Sequence, residues 1–228
     1  MKSAKEQSDK SVAVPSSAAG AAEHCRRFPA VICGKEKTAA QLENAVLAAL
    51  EDNNGVIVTH TDEMTGSALS LTFPEGGYDP AARIFHIDPP AVEAEVFIIT
   101  AGREDLPAAL TAKYALSACG FTSRMLMTQG SAGIKQLAEL TGRLSRAAAC
   151  IAVAGTDSTL PGIIAGLTDT PVTALPATVK SGDRLDSMMS LFGVLSSGRT
   201  GLTVVSTDDG IGAGFAAARI INSNLKNQ

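Results

Sequence analysis

The sequence contains no Trp, its aromatic content is 4%, and its four cysteines show no CxxC spacing. Scattered cysteines give no zinc-site pattern and are typical of reduced thiols in a cytosol. No apolar run approaches the ~20 residues that a membrane-spanning helix needs. The N-terminus is polar where a signal peptide would have an apolar core. We therefore expect a cytoplasmic protein without membrane contact.

Clusters of basic residues are also missing. The formal net charge is −4, and no Lys/Arg cluster exceeds three residues. Proteins that bind a nucleic-acid backbone usually carry a basic stripe, so we expect no nucleic-acid partner. What the chain does have is 228 residues that are 45% hydrophobic and 18% charged. This composition is typical of a globular protein that buries a core without disulfides or a structural metal.

Three regions can be distinguished along the chain. Residues 1–22 are rich in Ser, Ala and Lys without periodicity, which predicts a flexible tail. Residues 23–90 combine short strand signals with one helical pattern, which predicts a small N-terminal α/β domain. Its strands are predicted at 30–33, 56–60 and 82–87, its helix at 37–52, and the segment FPEGGYDP as a loop. Asp88-Pro89-Pro90 marks the domain boundary, because prolines stiffen a linker.

Residues 91–228 repeat a strand–helix unit five times. The strands are predicted at 95–100, 121–127, 149–154, 172–176 and 202–206, followed by helices that start near 105, 132, 161, 185 and 214. Alternating strands and helices at this spacing predict a mainly parallel sheet covered on both faces. Right-handed crossovers make it a doubly wound α/β fold.

In such a sheet ligands bind beyond the carboxyl ends of the strands, where the loops lead into helix N-termini. Glycines there let a ligand approach the backbone, helix N-termini attract anions, and a fixed carboxylate can orient or deprotonate a substrate. Asp157 is the candidate catalytic residue. The candidate substrate-binding residues are Gly102, Arg103, Asp105, Gly130, Ser131, Ala132, Gly133, Gly155, Thr156, Ser158, Lys180, Arg199, Asp208 and Gly210.

Several of these residues have an equally good structural interpretation. The segment 103–105 fits a solvated first helical turn, with its acids matched to the helix dipole. Asp208 and Asp209 can hold Mg²⁺ through water, or simply cap a helix. The run GIGAG is a weak dinucleotide signal and is better explained by tight packing of the last helix. We expect His60 and His86 to be structural.

A family resemblance follows from these loops. The series TAGREDLP, GSAGI, VAGTDSTLPGIIAGLTDTPV and VVSTDDGIGAGFAAA resembles the PurE-like (AIR carboxylase) domain. More specifically, it is similar to the LarB family of pyridinium-3,5-biscarboxylic acid mononucleotide synthases. The segments CRRFPAVICGKEKTAAQL and GYDPAARIFHI resemble the N-terminal part of LarB proteins, so the likeness covers about residues 24–222.

The resemblance implies a flavodoxin-like core, a dimer-based homo-oligomer of up to eight subunits, and a nucleotide substrate at the carboxyl edge of the sheet. LarB proteins carboxylate the pyridinium ring of nicotinic acid adenine dinucleotide, with CO₂ or bicarbonate as co-substrate. They also cleave its phosphoanhydride and release AMP, in the biosynthesis of the nickel-pincer cofactor. No tightly bound organic cofactor is predicted.

The family chemistry begins when a cysteine thiolate adds to the ring, and an acidic residue in the third loop assists. Asp157 stands at the position of that acidic residue. The family's cysteine precedes the fifth strand, where this chain reads LSSGRTG and has Gly198 in its place.

Three functions therefore stay open. The first is a LarB-type enzyme with an altered mechanism. The second is another mutase, lyase or hydrolase of the PurE class, in which Asp157, Lys180 and Arg199 orient a phosphoribosyl nucleotide. The third is a non-catalytic nucleotide-binding paralogue, which the Gly198 substitution favours.

Overall fold

The computed structural model describes residues 28–52, 55–129, 133–155, 157–178, 184–197 and 200–225, which form two sheets with their helices. The predicted tail lies outside these ranges. The N-terminal part contains β1 (Ala30–Cys33), α1 (Ala39–Asp52), β2 (Val56–Thr59), α2 (Glu63–Thr72), β3 (Gly77–Asp79) and β4 (Ile84–Ile87).

The C-terminal part begins with β5 (Val92–Thr100) and a short 3₁₀ turn (Arg103–Asp105). It continues with α3 (Leu106–Ala118), β6 (Phe121–Met127), α4 (Ile134–Glu139), α5 (Thr141–Leu144), β7 (Ala149–Ala154), α6 (Leu160–Leu167), β8 (Val172–Pro176), α7 (Arg184–Leu195), β9 (Leu202–Val204) and α8 (Gly210–Leu225). The helix predicted from 132 is divided between α4 and α5.

The five strands β5–β9 form one parallel sheet in the order β6-β5-β7-β8-β9. This is the flavodoxin-like order 2-1-3-4-5, so the predicted doubly wound α/β fold is confirmed. Every residue of β7 and of β8 is buried. A strand covered on both faces needs a continuous run of apolar residues rather than alternating apolar and polar residues. The sequence ACIAVA of β7 is such a run.

Both faces of this sheet carry helices. On one face Val96 and Ile98 of β5 join a core cluster with α3 and α8 residues such as Ala112 and Ala217. On the other face Phe97 and Ile99 join a cluster that includes residues of α4, α5 and α6. Because successive side chains of a strand point to opposite faces, one apolar strand serves both clusters.

Helices α3 and α8 lie unusually close together. A Cβ added at Gly210 would lie 2.6 Å from the carbonyl oxygen of Ala108, and one added at Gly214 would lie 2.5 Å from the Cβ of Ala115. The glycine run therefore permits close helix packing, as predicted. The start of the last helix was predicted wrongly, because α8 begins at Gly210 rather than at 214. Asp209 caps it there, with Oδ1 accepting from the Gly212 N–H at 2.7 Å.

The four strands β1–β4 form a mixed sheet in the order β1-β2-β4-β3, in which β1 and β2 run parallel and the other pairs antiparallel. The prediction of FPEGGYDP as a loop was wrong, because its residues 77–79 form β3. Helix α2 was not predicted either. It is capped by Asp62, whose Oδ1 accepts from the Thr65 N–H at 2.8 Å, and its Gly66 leaves room for the ring of Tyr78.

The two parts of the chain pack against each other through α3. Ile57 and Ile84 of the mixed sheet form a buried cluster with two alanines of α3. Tyr114 of α3 donates to Asp79 at 2.6 Å. His86 stacks on the ring of Tyr114 at a centroid distance of 4.4 Å and contacts an Asp88 oxygen at 3.0 Å, so it is structural, as expected. Among the described helices, none has both the length and the apolar character to cross a bilayer.

Candidate functional site

The carboxyl ends of β5 and β7 form the topological switch point of the parallel sheet. From β5 the order proceeds to β6 on one side, whereas β7, β8 and β9 follow on the other side. Loops that leave two adjacent strands in opposite directions open a crevice, which is where ligands of this fold bind. The described loop residues at this point include Gly102, Asp105, Gly155 and Asp157, which we call the carboxyl-edge site.

Asp105 is the buried acid of this site, with 1% of its surface exposed. Its Oδ2 accepts from the backbone N–H groups of Ala101 at 3.0 Å and Gly102 at 3.1 Å. Its Oδ1 has no hydrogen-bond partner among the described residues. A solvated first turn is thus the wrong interpretation of Asp105, whereas the neighbouring Arg103 is indeed exposed.

Burial raises the pKa of the Asp105 carboxyl above its usual value, and the charge of Glu104 acts in the same direction. The backbone N–H groups of Gly102 and Ala101 lower the pKa of this carboxyl. The nearby N–H of Gly155 also lowers it, although its geometry does not meet the criteria for a hydrogen bond to Oδ1. A carboxyl with a raised pKa in a crevice is a candidate general acid or base.

Gly155 makes the burial of this acid sterically feasible. A Cβ at position 155 would lie 2.3 Å from Asp105 Oδ1, so the position accepts no larger residue without a shift of the carboxyl. The hydroxyl of Thr100, at the end of β5, is likewise buried and has no partner within the described ranges. Unpartnered buried oxygens are costly, and two of them at one strand end indicate a site for a polar ligand or water.

Asp157 lies in the loop between β7 and α6. Its Oδ1 accepts from the backbone N–H of Thr159 at 3.0 Å and from the Thr159 hydroxyl at 2.5 Å. Ser158 faces α7, where a Cβ at Gly193 would lie 2.6 Å from its Oγ. Ser190 of α7 donates to the carbonyl of Ala154 at 2.6 Å. The loop that carries Asp157 is therefore fixed between its own strand and α7.

Asp208 connects the loops that follow β8 and β9. It has a left-handed backbone (φ 59°), and its N–H donates to the Pro176 carbonyl at 2.8 Å. Its carboxylate accepts from the backbone N–H of Thr178 at 2.8 Å and from the Thr178 hydroxyl. Asp208 and the capping Asp209 both accept hydrogen bonds from the chain itself. The described residues contain no group of three or more His, Cys, Asp or Glu that could hold a metal ion, so Mg²⁺ binding stays a prediction.

The described loops follow one another along a single edge. Gly155 lies beside Asp105 on one side and near the carbonyl of Ala177 on the other, and Asp208 reaches Thr178. Gly133 immediately precedes α4, and Gly210 begins α8. Their substrate contacts stay predictions. The predicted site residues Gly130, Ser131, Ala132, Thr156, Lys180 and Arg199, together with Gly198, lie outside the described residues.

The two buried thiols, Cys119 and Cys150, are poor nucleophiles. Burial raises the pKa of Cys119 and of Cys150 to about 12. Because these pKa values lie far above neutral pH, neither thiol is ionised there. The thiolate is the reactive form of cysteine, so neither residue is a reactive nucleophile. Cys150 is also enclosed in β7, and Cys119 caps the far end of α3.

Sequence reasoning missed Thr100, although a Thr that ends an apolar strand run is a usable signal. It also missed a cavity between the two parts of the chain, lined in part by His60 and Arg83. These residues are far apart in the sequence from the loops of the parallel sheet, and no motif connects them.

The comparisons with known proteins agree with this architecture. A family model described as AIR carboxylase matches residues 95–227, which is more than half of the chain. The chain belongs to the AIR carboxylase family. A second model, described as the LarB/PurE-like N-terminal domain, matches residues 23–89, which confirms the resemblance to LarB proteins. Members of this PurE/LarB-like group are carboxylase- or mutase-type enzymes that act on a nucleotide, and this role extends to the chain.

Individual relatives add little about function. An uncharacterized protein of Methanocaldococcus jannaschii is 29% identical over 203 residues, which cover 84% of this chain and 78% of that protein. The solved flavodiiron core of Flv1 from Synechocystis sp. PCC6803 is 16% identical with a TM-score of 0.36. That match covers 83% of this chain and 49% of the Flv1 chain, so this chain spans about half the length of the Flv1 chain.

Proposed function

We propose that the chain is a LarB-type enzyme that carboxylates the pyridinium ring of nicotinic acid adenine dinucleotide and cleaves its phosphoanhydride with water, which leaves AMP and a carboxylated mononucleotide. The observation that carries the proposal is the buried Asp105 carboxyl, whose unpartnered Oδ1 faces Gly155 at the switch point. The LarB/PurE-like N-terminal domain in the same chain supports the LarB type. CO₂ or bicarbonate is the co-substrate.

Asp105 has the properties that the proton transfer requires. Carboxylation replaces a ring hydrogen by a carboxylate, so one proton leaves the ring carbon. A base whose pKa is raised toward neutrality accepts such a proton better than an ordinary carboxylate does. The raised pKa of Asp105 and its free Oδ1 fit this role. Asp157, held by Thr159, is assigned to orient the substrate from the loop before α6.

The assay is incubation of the purified chain with nicotinic acid adenine dinucleotide, carbon-13 bicarbonate and Mg²⁺, followed by mass spectrometry. A labelled, carboxylated mononucleotide together with AMP is the expected result. AMP without incorporated label would instead identify another enzyme of the PurE class. Saturable binding of unchanged substrate would identify a non-catalytic paralogue.

Asp157→Asn should abolish turnover and leave the fold intact. Its matched control is Asp169→Asn, because Asp169 is an exposed acid beyond the opposite end of α6. Full activity in the Asp157 variant would remove this residue from the mechanism. Loss of activity in both variants would point to a general effect on α6.

We also propose that the chain forms a homo-oligomer through α7. One side of this helix exposes large apolar residues at helical spacing, each between 51% and 63% exposed: Leu185, Met188, Met189, Phe192 and Leu195. A contiguous apolar stripe of this kind is typical of a protein interface. Phe192→Glu should therefore lower the mass measured by light scattering. Leu71→Glu is the control, because Leu71 is 84% exposed on α2. A monomeric parent chain would refute the assembly.

A further inference from the structure

A cavity of 340 Å³ lies between the mixed sheet and the N-terminal end of α8. The N-terminal part of the chain lines it with His60, Arg83 and Ile84, and the C-terminal part with Thr111, Asp209 and Ile211. We call it the interdomain cavity. Apart from Asp208, which also reaches its wall, it shares no lining residue with the carboxyl-edge candidates.

Backbone conformation singles out this cavity. Four described residues other than glycine have left-handed backbones, and His60, Arg83 and Asp208 among them line the cavity, with φ values of 58°, 55° and 59°. The fourth, Glu36, is not among the lining residues. Such conformations are unfavourable for L-residues and cluster at ligand sites, where the surrounding structure fixes them.

The N-terminal wall carries an arginine and a histidine. Arg83 donates through Nε to the Thr61 carbonyl at 3.4 Å and makes no ion pair among the described residues. The Nδ1 of His60 contacts the Thr59 hydroxyl at 3.0 Å, which directs Nε2 away from that contact. An arginine and a histidine ring nitrogen together are suited to bind a phosphate.

The opposite wall is acidic, and the surface between the walls is apolar. The carboxylate of Asp209 accepts one hydrogen bond from Gly212 and retains further acceptor capacity. Carboxylates that face a nucleotide typically accept from its ribose hydroxyls. Val31, which is 46% exposed, and Ile211 provide an apolar surface in the cavity, suited to a flat base.

We propose that the interdomain cavity binds a nucleoside 5′-monophosphate. Arg83 and His60 donate to its phosphate, Asp209 accepts from the ribose hydroxyls, and the base packs on the apolar surface of Val31 and Ile211. The volume of 340 Å³ is near the lower end of the range of about 300–1,000 Å³ for small-molecule sites, which suits a mononucleotide better than a dinucleotide. Free phosphate would leave the acidic wall and the apolar surface without partners.

This site goes beyond the proposed carboxylation. The ligand would contact both parts of the chain, so its binding would stabilise the packing between them. None of the residues assigned to proton transfer or to substrate orientation at the carboxyl edge takes part in it.

The experiment is isothermal titration calorimetry of the full chain with AMP, adenosine and inorganic phosphate as separate probes. AMP should bind saturably and at least tenfold more tightly than either of the other probes. Arg83→Asn should weaken AMP binding at least tenfold, and His60→Asn should also weaken it. Asn tolerates the left-handed backbone at both positions, so the fold should be retained, which circular dichroism checks. Glu36→Asn, at the left-handed residue outside the cavity, should leave AMP binding unchanged.

Three results would overturn the proposal. Phosphate that binds as tightly as AMP would show an anion site without nucleotide selectivity. Absence of saturable AMP binding at millimolar concentration would exclude the site. AMP binding that survives Arg83→Asn and His60→Asn but is lost in Asp105→Asn would place the nucleotide at the carboxyl edge. The carboxylation assay is read separately, so a negative result there leaves the cavity untouched.

Discussion

Replacement of Gly155 by alanine tests the contact on which the carboxyl-edge site depends. The new Cβ would lie 2.3 Å from Asp105 Oδ1 and 3.5 Å from its Cγ. The first distance is roughly 1 Å shorter than an ordinary van der Waals contact. Asp105 is 1% exposed, so its carboxyl can move only by disturbing the bonds to Ala101 and Gly102 at 3.0 and 3.1 Å.

The expected loss of stability follows from these contacts. Overpacking of a close-packed site costs about 1–3 kcal/mol. A weakened hydrogen bond to the carboxyl adds about 1 kcal/mol, since a net hydrogen bond contributes about 0.5–1.5 kcal/mol. We expect Gly155→Ala to lower the free energy of unfolding by about 2–4 kcal/mol, measured by urea denaturation.

The matched control is Gly142→Ala. A Cβ at Gly142, in α5, would meet nothing within 4 Å, so this change should stabilise the chain by about 0.5–1 kcal/mol through helix propensity. A double variant with Asp105→Ala should recover part of the stability lost in Gly155→Ala. Strict additivity, or a loss below about 0.5 kcal/mol in the single variant, would refute the contact.

The pKa of Asp105 is higher in the folded chain than in the unfolded chain, where it is about 3.9. The parent chain should therefore lose stability relative to Asp105→Asn as the pH rises from about 3.9 through the folded-state pKa. Urea denaturation from about pH 4 to 7 measures this, and parallel curves would contradict it. Cys119 and Cys150, with pKa values of about 12, should react with a thiol reagent only after unfolding. Fast labelling of Cys150 in the native chain would refute its enclosure in β7. Tyr114→Phe should cost about 1–2 kcal/mol by removing the donor to Asp79, and an unchanged urea midpoint would count against this contact.

The parallel sheet could be predicted from the sequence because its strands are apolar on both faces and are followed by helix signals. Short apolar runs such as ACIAVA at 149–154, bounded by turn residues, are typical of a parallel strand covered on both faces. The mixed sheet was predicted less completely. Strand β3 has three residues, too few for alternation to show, and its pairing of Tyr78 with Phe85 depends on a neighbouring strand. Helix α2 depends on Asp62 as its cap. Its Gly66 is a poor helix former, and a Cβ there would lie 2.3 Å from the ring of Tyr78.

The carboxyl-edge site shows why residue types alone do not determine exposure. The segment RED at 103–105 has three charged residues in succession, which locally favours a solvated turn. The structure separates them, since Arg103 is exposed and Asp105 is buried. What buries Asp105 is the absence of a side chain at Gly155, fifty positions later, together with two N–H donors from its own loop. Such a long-range steric relation leaves no trace in the local pattern.

The interdomain cavity depends on relations of the same kind. His60 and Arg83 come from the ends of β2 and β4, and the two carboxylates come from the loop before α8. The packing of α3 against Ile57 and Ile84 brings these segments together. His60 is exposed and lines the cavity, and the expectation that it is structural stays a prediction. Glycine would adopt the left-handed backbone at His60 or Arg83 without steric cost. The chain instead has histidine and arginine at these positions, and both line the cavity, as the proposed phosphate site requires.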